Sequence, residues 1–133
     1  MKSLLALVLI SLVSSTAAVA RPSLSLRNTE VLNKALEGKT PGPPVRCVSR
    51  DLLNDMRSVG NSIMLYRVGP KLTYRNDLGG QCHGLGSDGI PVLQSFGGEY
   101  CRGDIIRIAD RQTGGFRGSC VLGPFVPYRA SAK

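Results

Sequence analysis

SIMLYRVGPKLTYRN, residues 62–76, is the stretch on which the fold turns. Residues 62–68 and 71–76 are two β-favouring runs, and Gly69-Pro70 between them breaks any continuous helix or strand. The pattern predicts a β-hairpin. A two-residue loop sets Leu65 opposite Tyr74, whereas a three-residue loop sets Tyr66 opposite Tyr74. Both registers leave a coherent apolar face, so the sequence leaves the loop length open.

Working towards the C-terminus, Gly79-Gly80 ends the hairpin, and Gly84, Gly86 and Gly89 keep the next stretch irregular. Residues 90–96 form a third strand candidate, with Pro91 near its start, where a missing donor is tolerated. Gly97-Gly98 turns tightly into Glu99-Tyr100-Cys101. Residues 104–109, DIIRIA, are the most β-prone run; 110–115 read as a loop, and 116–122 close the sheet. On the N-terminal side, residues 47–60 read two ways: Arg46-Cys47-Val48 as a strand, and Leu52, Leu53 and Met56 as one helical turn. The expected fold is mainly β: a small antiparallel sheet of about five or six short strands, or a partial barrel, with two disulfides and a short N-terminal helix.

That helix comes from residues 21–44. Asn28 or Thr29 can cap it, Val31, Leu32, Ala35 and Leu36 share one face, and Gly38 supplies the stop. A helix this short is marginal unless something covers its stripe. Thr40-Pro41-Gly42-Pro43-Pro44 cannot continue a helix and is expected to stay outside any ladder as a stiff linker. The compact domain is therefore placed at 45–128, with 129–133 as a tail. Residues 1–20 carry an export pattern: Lys2, an apolar run from Leu4 to Val13 too short to span a bilayer, and Ala18-Val19-Ala20 as a cleavage site. Removing them leaves 113 of 133 residues, enough for one small domain.

All four cysteines, Cys47, Cys82, Cys101 and Cys120, lie beyond that cleavage point. An even count in an exported chain reads as two disulfides. A zinc site is the rival, but there is no C-x-x-C pair and the single histidine, His83, directly adjoins Cys82. For connectivity, Cys82–Cys101 nested inside Cys47–Cys120 is favoured, because it closes the Gly-rich loop and ties the domain ends; consecutive pairing, Cys47–Cys82 with Cys101–Cys120, is the main rival. Closing a loop of about 19 residues would contribute roughly 3 kcal/mol.

The charge is the one feature that points to a class of partner. Seventeen basic and nine acidic residues give +8, or +7 once Lys2 is removed. Such a balance suits an anionic polymer, although the charges are scattered and form no Lys/Arg block. Weak, salt-sensitive attraction to polyanions is the expectation.

Taken as an ordered set, Tyr74-Arg75-Asn76, Cys82-His83-Gly84-Leu85, Cys101 with Asp104-Ile105-Ile106, and Cys120-Val121-Leu122-Gly123-Pro124-Phe125-Val126-Pro127 resemble a family of small, exported, functionally uncharacterised proteins of Gram-negative bacteria. The resemblance covers about 80 residues from Cys47 onward. It implies an exported, disulfide-linked, mainly β domain and brings no activity. His83 departs from the proline that is commoner there, so no role for it is carried over.

Catalytic constellations are sparse. His83 is the only side chain poised for proton transfer near neutral pH, and a ribonuclease-like hydrolase would pair it with Glu99 or Glu37. The serines lack a nucleophile elbow, and phosphate-loop and dinucleotide fingerprints are missing. Arg102-Gly103-Asp104 spells an adhesion tripeptide but reads better as the lead into a strand. Tyr66, Arg67, Tyr74 and Arg75 could form a stacking surface, with half of them facing the core. The candidate surface site is accordingly His83, Arg67, Tyr74 and Arg75. The expected function is a non-catalytic periplasmic or envelope module, monomeric, without cofactor, metal or membrane span, that binds an anionic polymer or an envelope protein. The alternative is a small secreted hydrolase using His83.

Overall fold

A computed structural model describes residues 23–80 and 82–132. The export pattern at residues 1–20 lies outside the described residues. The described residues are mainly β, with antiparallel strands, one α-helix and two disulfides. The helix α1 spans Leu26–Leu36; the strands are β1 (Lys39–Pro41), β2 (Cys47–Ser49), β3 (Asp55–Val59), β4 (Ile63–Arg67), β5 (Leu72–Asp77), β6 (Ile90–Leu93), β7 (Glu99–Cys101), β8 (Ile105–Ala109), β9 (Phe116–Val121) and β10 (Phe125–Ala130). They form three sheets: β1-β10-β5-β4-β3, β6-β8-β9 and the pair β2-β7. These sheets do not close into a barrel.

The decisive hairpin takes the three-residue loop: Tyr66 stands opposite Tyr74 and Leu65 opposite Arg75. Ile63, Met64, Leu65 and Tyr66 of β4 are all buried, because this strand is covered on both faces. A doubly covered strand reads as a continuous apolar run, without the alternation of a one-sided sheet. Met64 and Tyr66 enter the main core with Val48, Leu85, Ile106, Ile108, Leu122 and Phe125. Ile63 and Leu65 point the other way and meet Val59 and Leu32 of α1. The large sheet thus lies between the helix and the two smaller sheets.

Residues 21–44 were expected to be a tether; the described part is instead built into this sheet. The helix begins one turn earlier than expected, because Ser25 caps it by accepting from the Asn28 amide at 3.3 Å. Lys39 donates to the Ala35 carbonyl at 3.2 Å and satisfies the last turn. The supposed linker then pairs with β10: Lys39 lies opposite Ala130 and Pro41 opposite Tyr128. Proline is tolerated because β1 is an edge strand, where the missing amide interrupts no second ladder. Gly42 and Val45 continue the stitching, donating to the carbonyls of Pro127 and Phe125 at 2.7 and 2.8 Å. At the other end, Arg129 and Ala130 belong to β10, so the expected tail at 129 starts inside a strand. Ambiguous residues 47–60 resolve into β2, a 3-10 turn over Arg50–Leu52 and β3.

The disulfides interleave. Cys47 bonds Cys101 and Cys82 bonds Cys120, a pairing that departs from both the nested and the consecutive arrangement. The reason lies at β7. The turn at Gly97-Gly98 does not fold β7 back onto β6; β7 crosses to β2, and Cys47 and Cys101 become direct cross-strand partners. Strand β6 pairs with β8 instead.

Two close backbone approaches shape the rest. A Cβ on Gly86 would lie 2.7–3.0 Å from the Gly60 backbone, so the 82–89 loop can press onto the β3–β4 turn, where the Gly86 amide donates to Asn61 Oδ1 at 2.7 Å. The fully buried Asn76 acts as a clasp: its Nδ2 donates to the Gly123 carbonyl and its Oδ1 accepts from the Gly123 amide, both at 2.8 Å. A Cβ on Gly123 would collide with the Asp77 carbonyl. The Tyr-Arg-Asn and Leu-Gly-Pro-Phe motifs, 47 residues apart, are therefore two halves of one contact.

Candidate functional site: a cationic sheet face

Directly paired residues in a sheet share a face, so register alone assembles the basic residues of the large sheet. Arg57 of β3 stands opposite Leu65 of β4, which stands opposite Arg75 of β5. In the adjacent row, Arg67 is flanked by Asp55 and Thr73. The same face carries α1. Where the helix ends, a cleft of about 240 Å³ opens between it and the sheet, lined by Ala35, Lys39, Asp55, Arg57, Arg67 and Thr73 among others.

The face is positive but partly neutralised. Arg67 Nη2 lies 3.6 Å from Asp55 Oδ2. Arg75 places both Nε and Nη2 2.9 Å from Asp77 Oδ1. Arg57 has no carboxylate partner among the described residues. Exposed pairs of this kind are weak and salt-screened, so an incoming polyanion can exchange with the two aspartates. Arg57 and Lys39 were not among the residues singled out from sequence. Reading 55–59 as a strand would have found Arg57, since Asp55, Arg57 and Val59 alternate with Met56 and Ser58. Lys39 carried no local signal, because its place depends on pairing with a strand some ninety residues away.

Tyr74 is on the other side. It is half-buried and meets the Phe125 ring edge-on at 6.4 Å. The sheet itself separates it from Arg67 and Arg75, so no joint tyrosine–arginine stacking platform forms. Tyr66, fully buried between Tyr100 and Phe125, leaves its hydroxyl without a partner among the described residues. Burial pushes its phenol well above the usual tyrosine range.

His83 is exposed in the 82–89 loop and forms no ion pair among the described residues. Glu37 follows the helix, and Glu99 is on β7 opposite Ser49; neither carboxylate pairs with the imidazole. The charged cluster near His83 is a different one. Arg117 of β9 reaches Asp88 of the loop at 2.6 Å and also pairs with Asp110. Hydrogen bonds from Arg117 and Ser87 hold the Asp88 carboxyl below its usual range. Those from the amides of Thr113 and Gln112 do the same, first among several causes, for Asp110. In turn, Asp110 and Asp88 raise Arg117 above its usual range. With both carboxylates engaged, this arginine is a clamp between two loops. Asp104 of the Arg-Gly-Asp tripeptide is also engaged, accepting from the Cys101 amide at 2.8 Å; it is turned back onto the chain and not presented.

Fold and site together define a small, disulfide-stapled antiparallel β protein with one basic sheet face. No protein-family model, curated protein or solved structure matches this chain.

Proposed function

We propose that the chain is an exported, non-catalytic module of the bacterial envelope that binds an anionic polymer on the cationic face of its five-stranded sheet. The observation that carries this reading is the placement of Arg57, Arg67 and Arg75 on one face, with Lys39 at the cleft beside them. Export is supported by the N-terminal pattern, by the family resemblance, and by two disulfides of the kind that persist in oxidising compartments. No helix among the described residues is long and apolar enough to cross a membrane. The hydrolase alternative draws nothing from the geometry around His83.

The test is a salt titration of the mature protein against a single-stranded oligonucleotide and a sulfated polysaccharide. Log affinity should fall linearly with log salt, and the double variant Arg57→Ala/Arg75→Ala should lower the slope for the oligonucleotide by about 1.4. Arg102→Ala and Arg111→Ala should leave it unchanged. Equal loss from all four positions would mean that only scattered charge is read. Cleavage of the oligonucleotide that His83→Gln abolishes would replace this reading with the hydrolase.

A further inference from the structure

The outer face of the second sheet differs in character from the cationic one. The β6-β8-β9 sheet turns Ile106, Ile108 and Cys120 into the core, so the alternate side chains face outward. By register these are Ile90 and Val92 of β6, Ile105, Arg107 and Ala109 of β8, and Phe116, Ser119 and Val121 of β9. Five of them are large apolar side chains exposed to solvent, with Phe116 at 61% and Ile105 at 56%. Phe96, on the loop after β6, is 95% exposed. Scattered single apolar residues need no explanation, but a contiguous set does.

The set is also charged in a one-sided way. Arg107 stands in its middle, opposite Val92 and Ser119, with its guanidinium 5.4 Å from the centre of the Phe116 ring. It has no carboxylate partner among the described residues. Among the described residues, the outward positions of these three strands include no acidic side chain. The nearest ones along β8, Asp104 and Asp110, are occupied by the Cys101 amide and by Arg117. The face therefore presents apolar side chains around an uncompensated cation.

The geometry points to a membrane-docking surface: the outer face of the β6-β8-β9 sheet lies on a bilayer containing anionic lipid, its apolar side chains entering the headgroup–acyl boundary and Arg107 meeting lipid phosphate. Three alternatives fit less well. A soluble polyanion offers the charge but no apolar phase. A second copy would bring together two faces each carrying an unpaired arginine, on chains of net charge +7 once Lys2 is removed. A stable protein interface engages about 20–30 residues a side, far more than this face supplies, whereas interfacial binding scales with a few inserted side chains plus attraction to anionic headgroups.

The experiment is flotation of the mature protein with vesicles of phosphatidylcholine alone and of phosphatidylcholine with an equal part of phosphatidylglycerol. Partitioning into the anionic vesicles is expected to be at least about fivefold stronger, since Arg107 at the docking surface adds attraction to the anionic headgroups. Ile105→Ser/Phe116→Ser should weaken it by about tenfold or more, as two apolar contacts are lost, and Arg107→Gln by about fivefold. All three substitutions are at exposed positions, and an unchanged melting temperature confirms that each variant folds. The proposal is overturned if the double variant partitions like the wild type, or if both vesicle types bind equally. It is also overturned if neither binds, which would leave an acidic protein surface as the occupant, or if sedimentation finds a dimer that the double variant abolishes.

Discussion

The two sides of the five-stranded sheet are closed by different means. On one side lies a single helix, continuous in sequence with the edge strand that follows it; Leu32 meets Val59, Ile63 and Leu65 there without any covalent link. On the other side, Met64, Tyr66 and Phe125 are covered by pieces drawn from residues 47 to 122, and both disulfides fall among those pieces. The difference follows from element length. An 11-residue helix presents a whole apolar stripe at once, whereas β2 and β7 are three residues each and cannot hold a partner by burial alone. Covalent staples replace missing contact area where elements are short.

The largest expected effect is on the stapled side. Cys82→Ala/Cys120→Ala removes the link between two buried cysteines 38 residues apart, and the chain-entropy model puts its loss at about 4 kcal/mol. Chemical denaturation with and without reductant measures this. Thiol titration of the denatured, unreduced protein should find no free cysteine, and peptide mapping should recover Cys47 joined to Cys101. A Cys47–Cys120 peptide would restore the nested arrangement and break the contrast between the two sides.

Next comes the helix side. Leu32, 7% exposed, packs into a cluster of only a few buried residues, so Leu32→Ala should cost about 2–3 kcal/mol, the low end for such a truncation. Deleting residues 21–43 should cost more, because β10 also loses its edge partner. If a chain starting at Pro44 melts like the full mature protein, the helix is an ornament and residues 45–128 stand alone after all.

The smallest effect belongs to the Arg117 clamp. Asp88 and Asp110 have carboxyls held below their usual range, so their contribution is fully present above the unfolded-state value of about 3.9 and is lost as pH falls through the lower folded values. Both pairs are solvent-screened, and the global melting temperature should barely move. Amide protection in residues 82–89, corrected for the pH dependence of intrinsic exchange, should fall as the pH drops below about 3.9, and Arg117→Met should remove that pH dependence. An unchanged profile would show that Gly86 against Gly60, and not the ion pairs, seats the loop.

The β class, the hairpin at 62–76, the strand at 104–109 and the disulfide-bonded state of the cysteines were legible because each rests on local chemistry: alternation, turn residues and an even cysteine count. The candidate site was legible only in part. Arg67 and Arg75 were identified, but Tyr74 was grouped with them although a one-residue step along a strand puts a side chain on the opposite face.

What the sequence by itself determined is where the chain turns and which runs extend, since φ restrictions and side-chain alternation act between neighbours. Only the tertiary structure decided which strands meet: that β7 crosses to β2, that Lys39–Pro41 lies along Tyr128–Ala130, that Asn76 clasps Gly123, and hence which cysteines bond and which arginines share a face. These are contacts between residues tens of positions apart. They are selected by burial and backbone pairing summed over the whole molecule, and no short window of sequence contains that sum.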